Sequence, residues 1–253
     1  MTPTITALPA FQDNYIWTWQ HDQALYVVDP GDASPVLQYM QDQGLPLAAI
    51  LVTHHHPDHV GGIAKLRQHA PDAVVYGPAQ SPFQDLDHPL NDQEIVQVGA
   101  WDFRVIATPG HTLDHICYFN PQALFCGDTL FAMGCGRLFE GSPEQMWASL
   151  SKLSALPAST PVYCTHEYTL ANAQFAKAVS PQHAPTLSRV EQVTQLRKQG
   201  RITLPSSIAE EQQTNPFLRC ADASMQDALS AQGWPSGSPE QCFASLRRWK
   251  DQF

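Results

Sequence analysis

The chain has 253 residues, 43% of them hydrophobic, enough for one large domain or a domain with an appendage. Its net charge is -10 with only 14 Lys and Arg, so most of the surface would repel nucleic acid, and an anionic small molecule would need a local basic patch. No apolar run reaches about 18 residues, which argues against a membrane span. The opening Met1-Thr2-Pro3-Thr4-Ile5-Thr6 lacks the basic flank and apolar stretch of a secretory leader.

In chain order, residues 5–7, 15–18 and 24–28 read as short strands, the last running into the turn Asp29-Pro30-Gly31-Asp32. Ser34 is expected to cap a helix through Gln43 that Gly44 stops. Residues 48–52 form a strand, and a helix over 60–69 follows, with Gly61 and Gly62 allowing close backbone approach. Strand patterns recur at 74–76, 94–98, 101–106, 116–119, 124–126 and 162–164, interrupted by a helix over 143–153. The segment 81–92, with Pro82, Pro89 and several acids, reads as an exposed loop. From Leu170 the pattern turns helical, at 170–179, 189–198, 222–231 and 239–249. The expected class is α+β, with two sheets face to face and helices outside in residues 1–169, then an all-helical appendage over 170–253. Six cysteines, at 117, 126, 135, 164, 220 and 242, show no CxxC spacing and read as buried thiols of a reducing cytoplasm.

The run Thr53-His54-His55-His56-Pro57-Asp58-His59, directly after the strand at 48–52, gathers metal-ligand side chains. His54 and His56 are two apart, so on an extended segment they point to one side. Asp58 and His59 follow as the chain turns. Neutral imidazole suits zinc, iron or manganese, and a carboxylate adds a hard oxygen. Three more donors come singly, each just past an apolar stretch: His111, Asp128 and His166. Loops at strand ends are where sites are usually built. Seven donors are too many for one tetrahedral metal and suit two. One would be held by His54, His56 and His111, the other by Asp58, His59 and His166, with Asp128 bridging. His55 is expected to point away and has no assigned role. His115 reads as a supporting group, and Glu167 is open between orienting a neighbouring ligand and lying on the surface.

THHHPDH at 53–59, GHT at 110–112, GDT at 127–129 and THEYT at 165–169 resemble the metallo-β-lactamase superfamily. Within it, five segments are similar to the glyoxalase II, or hydroxyacylglutathione hydrolase, family. These are LPAFQDNY at 8–15, CGRLFEG at 135–141, HEYTLAN at 166–172, NPFLR at 215–219 and the terminal RRWKDQF at 247–253. The resemblance implies a metallo-β-lactamase-like αβ/βα sandwich with a C-terminal helical domain. It implies a thioester hydrolase that cleaves S-(2-hydroxyacyl)glutathione, typically S-D-lactoylglutathione, to glutathione and D-lactate in methylglyoxal detoxification. Attack would come from a metal-bridging hydroxide oriented by Asp58 and Asp128. Two divalent ions per chain are implied, zinc first, with iron or manganese as alternatives.

By the same resemblance Arg137, Phe139, Tyr168, Arg247 and Lys250 match positions that hold the glutathione part. Cations suit the two carboxylates of glutathione. Phe139 stands where some relatives carry Tyr, which removes a hydroxyl contact. The chemistry is self-consistent, because a leaving thiol with a pKa near about 8.5 departs without a strong general acid. The expected partner is therefore a small glutathione thioester, with no nucleic acid and no membrane. The chain is read as a cytoplasmic monomer, since no interface motif is visible. Two other readings compete. A single-iron persulfide dioxygenase would need fewer donors than the seven present. A zinc-stabilised binding module would be closed by four.

Overall fold

The computed structural model describes residues 3–253; Met1 and Thr2, which open the segment read above for a secretory leader, lie outside the described residues. The chain divides into two compact units. One holds the residues up to Ala107 with Asp114–Gly127, the other Thr108–Leu113 with Asp128–Phe253.

The first unit carries a six-stranded sheet of β1 (Thr6–Ala10), β2 (Asn14–His21), β3 (Ala24–Val28), β4 (Leu47–Leu51), β5 (Val74–Pro78) and β6 (His88–Leu90), in that spatial order. The first three pair antiparallel; β3 to β6 pair parallel. Parallel strands are covered on both faces, and the apolar run of β4 fits that demand. A meander of β7 (Ile95–Val98), β8 (Trp101–Ala107), β9 (Ile116–Asn120) and β10 (Ala123–Gly127) pairs antiparallel throughout. The sheet meets the meander through Trp19, fully buried, whose ring stacks on Phe125 at 5.6 Å and lies 5.1 Å from Trp101 and 5.9 Å from Phe103. Truncating such an aromatic costs about 3–5 kcal/mol.

On the other face of the sheet, Leu25, Val27, Ile50 and Val75 bury against Val36 of α1 (Ala33–Gln43) and Ile63 and Leu66 of α3 (Ile63–His69). The N-cap of α1 is Asp32, not Ser34, because the Asp32 carboxylate accepts the Ser34 N–H at 2.9 Å. Gly44 ends the helix with φ +65. The single helix expected over 60–69 is two: α2 (Pro57–Val60) and α3. Both glycines at the break lie where no side chain fits. A Cβ at Gly61 would lie 2.6 Å from the Pro57 carbonyl oxygen, and one at Gly62 would lie 2.4 Å from that of Pro30. The segment 81–92 is not all loop, since β6 lies within it.

The second unit begins after Asp128 with the hairpin β11 (Leu130–Phe131) and β12 (Gly134–Cys135). Helix α4 (Pro143–Ser154) starts with a reciprocal cap between Ser142 and Gln145. There follow β13 (Pro161–Cys164), α5 (Thr169–Val179), α6 (Ala184–Lys198), β14 (Ser206–Ser207), α7 (Ile208–Thr214), a 3-10 turn at Pro216–Leu218, α8 (Ala223–Ser230) and α9 (Pro239–Gln252). The part after Leu170 is therefore not wholly helical: β14 pairs antiparallel with β13. Two serines offer no alternation to read, and seven-residue α7 is too short and polar to show a period. Helix α9 buries Cys242, Phe243, Leu246 and Arg247, with Phe243 against Phe217 at 5.7 Å. All six cysteines are buried and free. No helix among the described residues is long and apolar enough to cross a membrane.

Candidate metal centre

In the first unit the donor loop follows β4 and is fixed by Asp29. One Asp29 oxygen accepts the Thr53 N–H at 2.8 Å, and the other accepts the Thr53 hydroxyl at 2.8 Å. With its proton given to Asp29, the Thr53 oxygen can accept from His54 Nδ1, 3.1 Å away. That places the His54 proton on Nδ1 and leaves Nε2 bare, facing His56 Nδ1 at 3.1 Å. Asp29 also lies 3.0 Å from His59 Nδ1, which favours the same tautomer there. His59 Nε2 then faces Asp58 Oδ2 at 3.6 Å. Asn14, at the start of β2, donates to that Asp58 oxygen at 3.1 Å. His54 and His59 are fully buried, whereas His56 and Asp58 are half-buried at the loop's open side.

In the second unit the donors come from three separate loops. Asp128 Oδ2 lies 3.4 Å from His111 Nε2 and 3.4 Å from His166 Nε2. His111 Nδ1 is 2.8 Å from the Arg137 carbonyl, which can only accept, so the proton sits on Nδ1 and Nε2 is bare. A bare nitrogen turned on a carboxylate in a buried site is unfavourable unless a cation lies between them. The donor chemistry of each half therefore fits divalent metal. Among the described residues, the side chains that could hold a metal ion are His54, His56, Asp58, His59, His111, Asp128 and His166.

The residues assigned to substrate lie in the second unit. The Phe139 ring stands edge-on to His111 at 5.2 Å and is 64% exposed. Tyr168 stacks on His166 at 4.7 Å, nearly coplanar at 3°. Arg137 is exposed, with Nε 3.8 Å from Asp251 Oδ1. Lys250 is half-buried, with Nζ over the Phe175 ring at 5.3 Å. Burial and the positive fields of Arg247 and Arg137 hold its pKa below the ordinary lysine value. Arg247 differs from the other two cations. Its buried guanidinium donates to the Cys135 carbonyl at 3.1 Å and to Asp251 at 3.1 and 2.8 Å. Burial pushes the Cys135 thiol up to about 11, so this neighbour stays protonated.

Sequence reasoning missed several orienting groups. Asp29 sat in what read as an ordinary turn, and only its spacing before the donor loop hinted at more. His55 lies 2.9 Å from Asp114 Oδ1, while the other Asp114 oxygen accepts the Ser81 hydroxyl at 2.8 Å. It thus braces the loop from behind. His115, buried, stacks on His54 at 4.9 Å. Glu167 accepts the Thr203 N–H at 2.9 Å and pairs with Arg197 at 3.6 Å.

A face-to-face sandwich carrying a His- and Asp-rich loop after a central strand defines a metal-dependent hydrolase of the metallo-β-lactamase fold. Residues 9–166 match the metallo-beta-lactamase superfamily, and residues 167–253 match the family segment described as the hydroxyacylglutathione hydrolase C-terminus. The chain belongs to the hydroxyacylglutathione hydrolase family of that superfamily. It is 55% identical over 253 residues to a hydroxyacylglutathione hydrolase of Pseudomonas fluorescens (strain SBW25), covering 98% of this chain and 99% of the relative. Among solved structures, ETHE1 from Myxococcus xanthus shares the fold at TM-score 0.66 and 24% identity, covering 99% of this chain and 98% of its own. TTHA1623, crystallised in a di-iron-bound form, reaches TM-score 0.60 at 25% identity, covering 85% of this chain and 100% of its own.

Proposed function

We propose that the chain hydrolyses the thioester of S-(2-hydroxyacyl)glutathione, typically S-D-lactoylglutathione, to glutathione and D-lactate in methylglyoxal detoxification. The observation that carries this reading is the 55% identity across the whole chain to a hydroxyacylglutathione hydrolase, and the candidate His and Asp donors support it.

The seven donors are proposed to hold two divalent ions: His54, His56 and His111 on one, Asp58, His59 and His166 on the other, and Asp128 on both. Zinc, iron and manganese all suit imidazole and carboxylate. The di-iron form of the 25%-identical neighbour supports a pair. What such ions supply when bound is an acidified water and a counter-charge for the developing oxyanion. The chain's own residues do the rest. Asp58 and Asp128 would accept hydrogen bonds from that water and so orient it. Phe139 and Tyr168 flank the donors and wall the thioester. Arg137 and Lys250 pair with the glutathione carboxylates. Arg247 acts through Asp251 and the Cys135 carbonyl to hold α9, and with it Lys250, in place.

Bond breaking is assigned to residues 1–169 and recognition chiefly to 170–253, with Arg137, Phe139 and Tyr168 contributing to recognition from the first part. Six buried free thiols favour a reducing, cytoplasmic setting, and the chain is proposed to act as a monomer. Thiol release from lactoylglutathione, with elemental analysis of the same preparation, tests the reading. Equal turnover of a coenzyme A thioester would count against it.

A further inference from the structure

The turn between Asp128 and Arg137 is held from outside, one backbone group at a time. Its strands β11 and β12 are two residues each, and Met133 between them has φ +57, in the left-handed region. So short a hairpin is not stable alone. Polar side chains of the later chain bind it instead. Asn215 Nδ2 donates to the Phe131 carbonyl at 3.1 Å and the Gly134 carbonyl at 2.9 Å. Asn172 Nδ2 donates to the Ala132 carbonyl at 3.1 Å. The Met133 N–H donates to Glu211 Oε2 at 2.7 Å, and Arg247 Nη1 donates to the Cys135 carbonyl at 3.1 Å. Each residue from 131 to 135 therefore has a backbone group bound by a buried side chain. Asn215 and Glu211 are fully buried and bonded to each other at 3.0 Å.

What this clamp fixes reaches the donors. The Phe131 ring stands edge-on to His166 at 5.8 Å. The Gly136 N–H donates to the Thr129 carbonyl at 3.2 Å, and a Cβ at Gly136 would lie 1.9 Å from the Asp128 carbonyl oxygen. One residue on, the Arg137 carbonyl takes the His111 Nδ1 proton at 2.8 Å. Two residues further, the Phe139 N–H donates to the His111 carbonyl at 3.1 Å.

We propose that Asn215 and Glu211, with Asn172 and Arg247, are positioning residues. They hold the 131–135 turn so that the Arg137 carbonyl orients the His111 ring while Arg137 and Phe139 face the substrate. The substrate half of this inference rests on the proposed thioesterase reading; the His111 half does not.

The test uses the full-length, metal-loaded protein. Asn215→Asp keeps the size and removes both N–H donors. Metal release to a chelator, measured with no substrate, should speed by about tenfold or more, the scale of lost ligand-orienting contacts. On lactoylglutathione kcat/KM should fall by about tenfold or more, with kcat lowered and KM raised together. Burial holds the Glu211 pKa above the usual carboxylate range, so an amide is a fair replacement. Glu211→Gln, which keeps an oxygen for Met133, should stay within about threefold of wild type in both readouts. If Asn215→Asp does not fold, Asn172→Asp, which releases one carbonyl, is read in the same way with a smaller change of the same sign. A folded variant with a lower melting temperature but unchanged release and kinetics overturns the clamp. A wild-type protein inactive on the thioester would sink the functional reading, while the release comparison would still decide this one.

Discussion

The two half-sets of donors are built in opposite ways. In the first unit four donors fall within six successive positions, and one carboxylate, Asp29, aligns two of the imidazoles through Thr53 and directly. In the second unit three donors come from loops far apart in sequence. The carbonyl that aligns His111 is 26 residues away, and the turn carrying it is held by side chains 40 to 112 residues distant. The first half is a local device that the sequence spells out. The second depends on the whole C-terminal part being folded.

The sharpest way to break that contrast is Asp128→Ala. Asp128 faces both donors of its half, so its loss should remove metal and lower kcat by about a hundredfold or more. Retention of two metals with full thiol release would show that it shares neither. Next is Asp29→Asn, which breaks the local brace without touching a donor. Metal affinity, read by chelator competition, should fall about 10- to 100-fold. An unchanged affinity would mean that the loop holds its own geometry.

Legibility follows the same division. The strand ladder, the donor loop and the solitary donors were readable because apolar runs and turn residues mark them directly. Asp29 was not, since nothing local separates a buried aspartate at φ +51 from an ordinary turn. Gly61 and Gly62 were read as places of close backbone approach, and the carbonyls of the Asp29-Pro30-Gly31 turn and of Pro57 are what approach; the split of one helix into two there was not foreseen. Asn215 entered only as the first residue of the NPFLR segment and Glu211 not at all, because their partners at 131–134 lie about 80 residues upstream. Arg247 was read by resemblance as one of the cations that hold glutathione, and its burial against Phe217 and the Cys135 carbonyl shows only in three dimensions.

Smaller effects sharpen the contrast from the recognition side. Removing an ion contact costs roughly 1.5–3 kcal/mol. Lys250→Ala should therefore raise KM about 10- to 100-fold, leave kcat within a few-fold and leave the metals bound. A fall in kcat at constant KM would move Lys250 to the catalytic side. The pH dependence has a definite sign. On the proposed reading the Lys250 cation binds a carboxylate, and its pKa is lowered by burial and by Arg247 and Arg137. Its charge is lost as pH rises through that lowered value, so wild-type KM should climb on the alkaline side before an ordinary lysine would titrate. Lys250→Met should flatten that limb, and an identical limb in the variant would assign it to another group.

The most direct test of the central claim strips the protein with a chelator and follows thiol release from S-D-lactoylglutathione as a divalent metal is returned. The account predicts a silent stripped protein whose rate recovers with metal and levels off at two ions per chain. Full activity in a preparation shown by elemental analysis to hold no metal would contradict it.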